Sequence, residues 1–174
     1  SKRIEFSNIF FKRNFNEEVE AKGFKPSSLI ISIDTIDHTD LPPFHFPLPN
    51  QKSYYTLKRI RKADNIPLFY EIFFLPTTLF NNLSKHVSDK FSITSLIQNE
   101  YGYHDLKSEC LITAVNLDDS LSQLLEVEFN SAAIKFDIIH YNEKNELVFF
   151  KISYFPGERH SIDVNLREET LWNT

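Results

Sequence analysis

Two arginines one residue apart, Arg59 and Arg61, and an acid ten residues beyond, Glu71, are the residues of this chain whose types and spacing suit ligand chemistry. A pair of guanidinium groups on one strand face grips a phosphate or carboxylate through forked hydrogen bonds. A carboxylate nearby would hold one arginine in place or accept from a sugar-like hydroxyl. The three must therefore share a face. They lie in SYYTLKRIRKADNIPLFYEIFFLP, residues 53–76, where residues 54–61 and 68–75 are rich in aromatic and β-branched types and flank the turn signal Ala63-Asp64-Asn65. The pattern predicts a three-residue loop with Asn65 in a left-handed conformation. Lys62 would then oppose Ile66, Arg59 would oppose Phe69, and Leu57 would oppose Glu71. Side chains alternate along a strand, so Leu57, Arg59 and Arg61 would share a face with Phe69, Glu71 and Phe73. A two-residue loop would shift the register by one and turn Glu71 away from the arginines. Periodicity alone fits a cross-strand ion pair on a wetted face, worth less than about 1 kcal/mol, at least as well as a binding site.

Other chemistries find little support. The sequence holds no nucleophile elbow, phosphate loop, dinucleotide fingerprint or zinc-hydrolase helix. Cys110, the only cysteine, precedes Leu111 and Ile112 in a strand-like run and reads as a packed, inert thiol. His104 and Asp105 are adjacent and would point to opposite faces of a strand. Asp34, Asp37, His38, Asp40 and His45 match no standard ligand spacing, so a solvated loop is expected and neither metal nor cofactor.

Composition sets the outer bounds. With 174 residues and 41% hydrophobic content, one folded domain with a substantial core is expected. Seventeen phenylalanines against three glycines point to an aromatic core. A net charge of −5 and no long basic run make the chain a poor non-specific nucleic-acid binder. No apolar run approaches the ~20 residues of a spanning helix, and no signal peptide is visible. A cytosolic setting without membrane association is expected. The chain starts at Ser1 and has no methionine, which reads as a piece of a longer protein.

Along the chain, Asn14 or Asn16 is placed to cap a short helix that carries Glu17, Glu18 and Glu20 and stops at Gly23. Its free N–H groups would suit an anion. Residues 28–36 read as a strand. The next stretch, 37–52, holds four prolines and no regular helix. After the hairpin, a helical piece is predicted over 77–83 and a second helix capped by Ser92 and ending near Gly102. A strand follows over 103–114, then a helix from Asn116 to Leu125 with Leu117, Leu121, Leu124 and Leu125 as its core stripe. Strands over 131–141 and 146–155 and an extended piece over 161–166 complete the chain. Long strands, short helices and tight turns argue α+β with a mostly antiparallel sheet.

The hairpin string Leu57-Lys58-Arg59-Ile60-Arg61-Lys62-Ala63-Asp64-Asn65-Ile66-Pro67, with Glu71 and then Leu75-Pro76, resembles the central signature of the UTRA domain, the effector-sensing half of GntR-type regulators of the HutC subfamily. Asn65 stands where that signature usually has glycine. Further points of similarity are Tyr101-Gly102 closing a helix, Glu109, Ala114 and residues 117–125, and Tyr154, Gly157, Glu158 and Arg159 as a closing segment. The resemblance runs over about residues 16–166. It divides the chain into a linker or first strand at 1–15, following an absent DNA-binding domain, and an effector domain at 16–174.

The resemblance implies a chorismate-lyase-like α+β fold, a homodimer, a small anionic effector such as a sugar phosphate, and contact with DNA only through a winged helix-turn-helix outside this chain. It implies no catalysis, with a chorismate-lyase-like enzyme as the rival. It assigns Arg59 and Arg61 to the anionic group, Glu71 to orientation, Asn16 to the helix start, and Tyr154 and His104 to the walls; Phe15, Phe69, Phe73 and Phe149 are further apolar walls. Some sugar-phosphate sensors carry an arginine and a glutamate where this chain has Asp105 and Val148, which speaks against simply assigning an amino-sugar phosphate.

Overall fold

The computed structural model describes residues 14–88 and 92–163. The proposed linker, apart from Asn14 and Phe15, and the end of the predicted 161–166 piece lie outside them. The hairpin forms the middle of the molecule: β2 (Ser53–Ala63) and β3 (Ile66–Pro76) pair antiparallel. Its turn has two residues rather than three. Ala63 opposes Ile66, and both Asp64 and Asn65 are left-handed, with φ of 47° and 64°. Two successive positive φ values give the turn whose twist matches a hairpin. A long-range contact holds it, because the Lys25 amide donates to the Asp64 carboxylate at 2.7 Å and the Asp64 amide donates to the Lys25 carbonyl at 2.9 Å.

The expected register is therefore corrected, yet the faces survive. Arg61 opposes Phe69 while Lys62 opposes Pro67, so Leu68 is an extra residue on β3. This bulge sits beside a proline, which has no N–H to give the ladder. It adds a second one-residue shift to that of the short turn, and two shifts together return each side chain to its expected face. Arg59 now opposes Glu71 and Leu57 opposes Phe73, and Arg59, Arg61 and Glu71 share a face. Replacing Asn65 by valine, whose branched side chain fits poorly at positive φ, is expected to cost about 1–2 kcal/mol, and glycine there is expected to cost nothing. Denaturant midpoints of the two variants check this.

Four more strands complete one antiparallel sheet: β1 (Pro26–Asp37), β4 (Lys107–Asn116), β5 (Ala132–Tyr141) and β6 (Leu147–Pro156), in the order β1-β2-β3-β6-β5-β4. Three short helices flank it: α1 (Phe15–Ala21), α2 (Ile93–Asn99) and α3 (Asp119–Leu125). The expected α+β architecture is the one observed. Side chains of Leu57, Phe69, Phe73 and Phe155 meet α1 and α2 on one face. Ile60, Tyr70, Phe74 and Phe150 meet α3 and the proline-rich segment on the other.

That segment forms a three-residue 3-10 turn, His38–Asp40, and then an irregular cover. Prolines keep it extended while Phe44 packs on Phe150, with ring centroids 4.5 Å apart, and Phe150 stacks on Phe74 at the same distance. A loop thus does what a helix does elsewhere, because its aromatic side chains supply the buried area.

Several local expectations shift. Asn14, not Asn16, caps α1, its side chain accepting from the Glu17 amide at 2.9 Å, and Phe15 opens the helix. Asp118 caps α3, and Asn116 ends β4 instead. The stretch after Pro76 is a series of turns with a 3-10 turn only at Leu83–Lys85. β4 begins at Lys107 rather than residue 103. It is a sheet edge with little covering it, so Cys110 is exposed rather than packed. Burial nonetheless raises its thiol above the ordinary range, which leaves it a poor nucleophile. Arg159 donates to the carbonyls of Pro67, Leu125 and Glu126, tying β3 to the end of α3. Among the described residues no helix is long and apolar enough to cross a membrane, and no three His, Cys, Asp or Glu side chains are grouped to hold a metal.

Candidate functional site

The sheet face under α1 and α2 is a ladder of rows, one side chain per strand. One row runs Arg59, Glu71, Ser153, Phe136 and a second runs Leu57, Phe73, Lys151, Ile138 across β2, β3, β6 and β5. Row by row, strand alternation alone decides which residues look up from the sheet. The first turns of α1 and α2 stand apart above these rows. Between them lies a cavity of about 790 Å³, lined by Arg59, Arg61, Glu71 and Lys151, by residues 14–17 and 92–95, and by aromatic walls that include Phe15, Phe69, Phe73 and Phe149.

Its polar floor is charged and largely dry. Arg59 and Glu71 are each only 3% exposed, and Arg59 Nη2 donates to Glu71 Oε1 at 3.1 Å. Arg61 Nη1 donates to Ser28 Oγ at 2.8 Å, and its guanidinium carbon lies 4.7 Å from the centre of the Phe15 ring. Arg59 and Lys151 both approach Phe73, at 5.1 and 5.4 Å from the ring centre. The Nε atoms of Arg59 and Arg61 are buried with no hydrogen-bond partner among the described residues.

Three cations thus face one acid. Burial alone would push the Glu71 carboxyl up, but the charges of Arg59, Lys151 and Arg61 outweigh it and hold it below the usual value. Burial, with repulsion from Arg59, brings Arg61 down to about 10. Burial also lowers Lys151, and Arg59 and Arg61 add to that. Such an excess of positive charge away from water is costly until an anion enters.

Asn16 and Phe15 line the cavity with the hairpin residues, but His104 and Tyr154 do not. Tyr154 lies between Ser153 and Phe155, which face the cavity, so alternation sends it to the other face, where it stacks on Tyr70 at 6.5 Å. His104 sits in the irregular stretch before β4. Val148 is buried beside α2 and, like Asp105, is no part of the lining. Two functional candidates escaped the sequence reading: Lys151 and His140. The available signal was a charged residue, Lys151, inside the apolar run VFFKISYF, and His140 two residues after Ile138 in IKFDIIHY.

His140 stacks on Phe149 with ring centres 4.1 Å apart, and its Nδ1 lies 2.7 Å from Ser108 Oγ. Burial, then Lys151, lowers it to about 3; burial lowers His160 to about 4. The unfolded chain takes up these protons near pH 6.5 and the folded one does not. The stability they provide is complete above that pH and is lost as pH falls toward the folded values. The loss runs at up to about 1.4 kcal/mol per pH unit for each histidine. Between pH 6.5 and 5, His140→Gln is expected to lose stability about half as steeply as wild type, read from denaturant midpoints.

A family model described as the UTRA domain matches residues 21–161. The chain belongs to the UTRA domain family. At 20% identity over 151 residues, this UTRA domain is similar to YurK, an HTH-type transcriptional regulator of Bacillus subtilis strain 168. The match takes in 87% of the chain and 62% of YurK, so the chain spans less than two thirds of that relative. Its fold matches PhnF of Mycobacterium smegmatis with a TM-score of 0.78 at 12% identity, covering 94% of this chain and 72% of that one. The PhnF effector domain by itself matches with a TM-score of 0.77 at 12% identity, covering 93% and 99%. The C-terminal domain of YurK matches at 0.67 and 18%, covering 79% and 94%. The UTRA domain thus has the chorismate-lyase-like α+β fold implied by its signature.

Proposed function

We propose that this UTRA domain senses a small anionic metabolite for a cytoplasmic GntR-type transcriptional regulator, as a homodimer, and reaches DNA only through a helix-turn-helix domain outside this chain. The observation that carries the reading is the cavity whose buried floor holds three cations against one carboxylate. An anion restores the balance there and gains charge-assisted hydrogen bonds from donors already in place. Lying between the first turns of α1 and α2, it also touches residues of both elements. A dimer arrangement that holds them closer binds it better, and that difference in affinity is what reaches the DNA-reading heads.

The effector is recovered unchanged under this reading. Thermal melts against phosphate esters, phosphonates and carboxylates test it, with mass spectrometry of the ligand afterwards. An anion at a hundred times its Kd stabilises the fold by about 2.7 kcal/mol. A panel that leaves the melting temperature where it was overturns the proposal, and a converted ligand shows an enzyme instead. Light scattering of the purified chain tests the dimer directly.

A further inference from the structure

Lys151 differs from the other two cations of the cavity. Arg59 has Glu71 and Arg61 has Ser28, but among the described residues Lys151 has neither an ion-pair nor a hydrogen-bond partner. Its ammonium lies 5.4 Å from the centre of the Phe73 ring, and the charge of Glu71 favours it without a direct contact. On the next strand stands His140. Lys151 opposes Ile138 and Phe149 opposes His140, so the lysine and the histidine are diagonal neighbours on one face of the sheet, within reach of each other's side chains. The Nε2 atom of His140 is buried and has no partner among the described residues either. In the tautomer in which the Ser108 hydroxyl donates to Nδ1, the proton of the neutral ring lies on Nε2, beside the cavity that both residues line.

One oxyanion placed here would accept from the buried Nε2 of His140 and pair with the Lys151 ammonium at once. The arginines are already one anion site. Arg59 and Lys151 approach the same Phe73 ring, so their charges are separated by no more than the sum of the two distances, 5.1 and 5.4 Å. One small molecule spans that gap.

We propose that Lys151 and His140 form a second oxyanion subsite, and that the effector carries two separate oxyanion groups, one at Arg59 and Arg61 and one here. This rests on the cavity being the anion site proposed above. Phosphorylated carboxylic acids, bisphosphates and dicarboxylates share this chemistry; monophosphates of neutral alcohols or sugars lack it.

Calorimetry with two probes that differ at one end decides the matter: glycerol 3-phosphate and 3-phosphoglycerate, which has a carboxylate in place of the terminal hydroxymethyl group. Wild type is expected to bind 3-phosphoglycerate at least tenfold more tightly. Lys151→Met removes that preference while glycerol 3-phosphate still binds, which also shows that the variant is folded. Lys151→Arg keeps the preference. His140→Phe weakens 3-phosphoglycerate severalfold and leaves glycerol 3-phosphate unchanged. Equal binding of both probes by wild type, or a preference that outlasts Lys151→Met, overturns the second subsite and leaves the arginine site standing. Binding of neither probe overturns the second subsite, and the anion site falls with it if the whole panel of phosphate esters, phosphonates and carboxylates also leaves the melting temperature unchanged.

Discussion

Glu71→Ala is expected to cost roughly 3–5 kcal/mol of stability, the largest loss of any substitution at the site. Its buried carboxylate faces Arg59, Arg61 and Lys151 on the cavity floor, and it accepts a 3.1 Å hydrogen bond from Arg59. Removing it strands the Arg59 charge in a nearly dry setting, since that side chain is 4% exposed. For a chain of this length each kcal/mol moves Tm by about 2–4 °C, so a fall of about 6–20 °C follows. Glu71→Gln keeps the shape and one acceptor and should cost less. The paired change Arg59→Met with Glu71→Leu should recover most of the loss, because it removes the stranded charge along with its partner. Scanning calorimetry of the four proteins measures this. A Glu71→Ala protein as stable as wild type would mean that the pair is wet and worth little.

Arg61→Ala should do the reverse: little change in stability and a loss of anion affinity of about a hundredfold. In the free protein Arg61 has a serine hydroxyl and an aromatic ring for company, and burial brings its guanidinium down to about 10. Its charge is therefore poorly compensated before a ligand arrives, and removing it relieves as much as it removes. With an anion present the same group makes charge-assisted hydrogen bonds worth about 1.5–3 kcal/mol, or one to two decades in Kd. Titration with glycerol 3-phosphate reads the affinity and calorimetry reads the fold. Unchanged affinity would take Arg61 out of the site. The opposed signs at Glu71 and Arg61 separate residues that hold the cavity together from those that hold its guest.

Much of this was legible before any coordinates. Alternation along β2 puts Arg59 with Arg61 on one face, alternation along β3 puts Phe69, Glu71 and Phe73 on one face, and the helix begun at Asn14 brings Phe15 against Phe69. The ordered series from the hairpin to Arg159 marks the family. These are local facts, because a strand reverses its side chains every residue and a cap acts within one turn.

The remaining features required the tertiary structure. The turn is tight because Lys25, thirty-nine residues away, bonds to Asp64, and the faces survive only through a bulge at Leu68 that no pattern announces. Tyr154 fails as a wall and Lys151 joins the floor for one reason: β6 pairs with β3 so that Ser153 opposes Glu71, which sends odd-numbered residues up and even-numbered ones down. Cys110 is exposed because β4 is an edge. Strand order and register across a sheet depend on contacts between distant segments, whereas the period of a single strand is written in its own residues. The sequence alone therefore determined which side chains travel together, and only the folded sheet decided which of those groups meet.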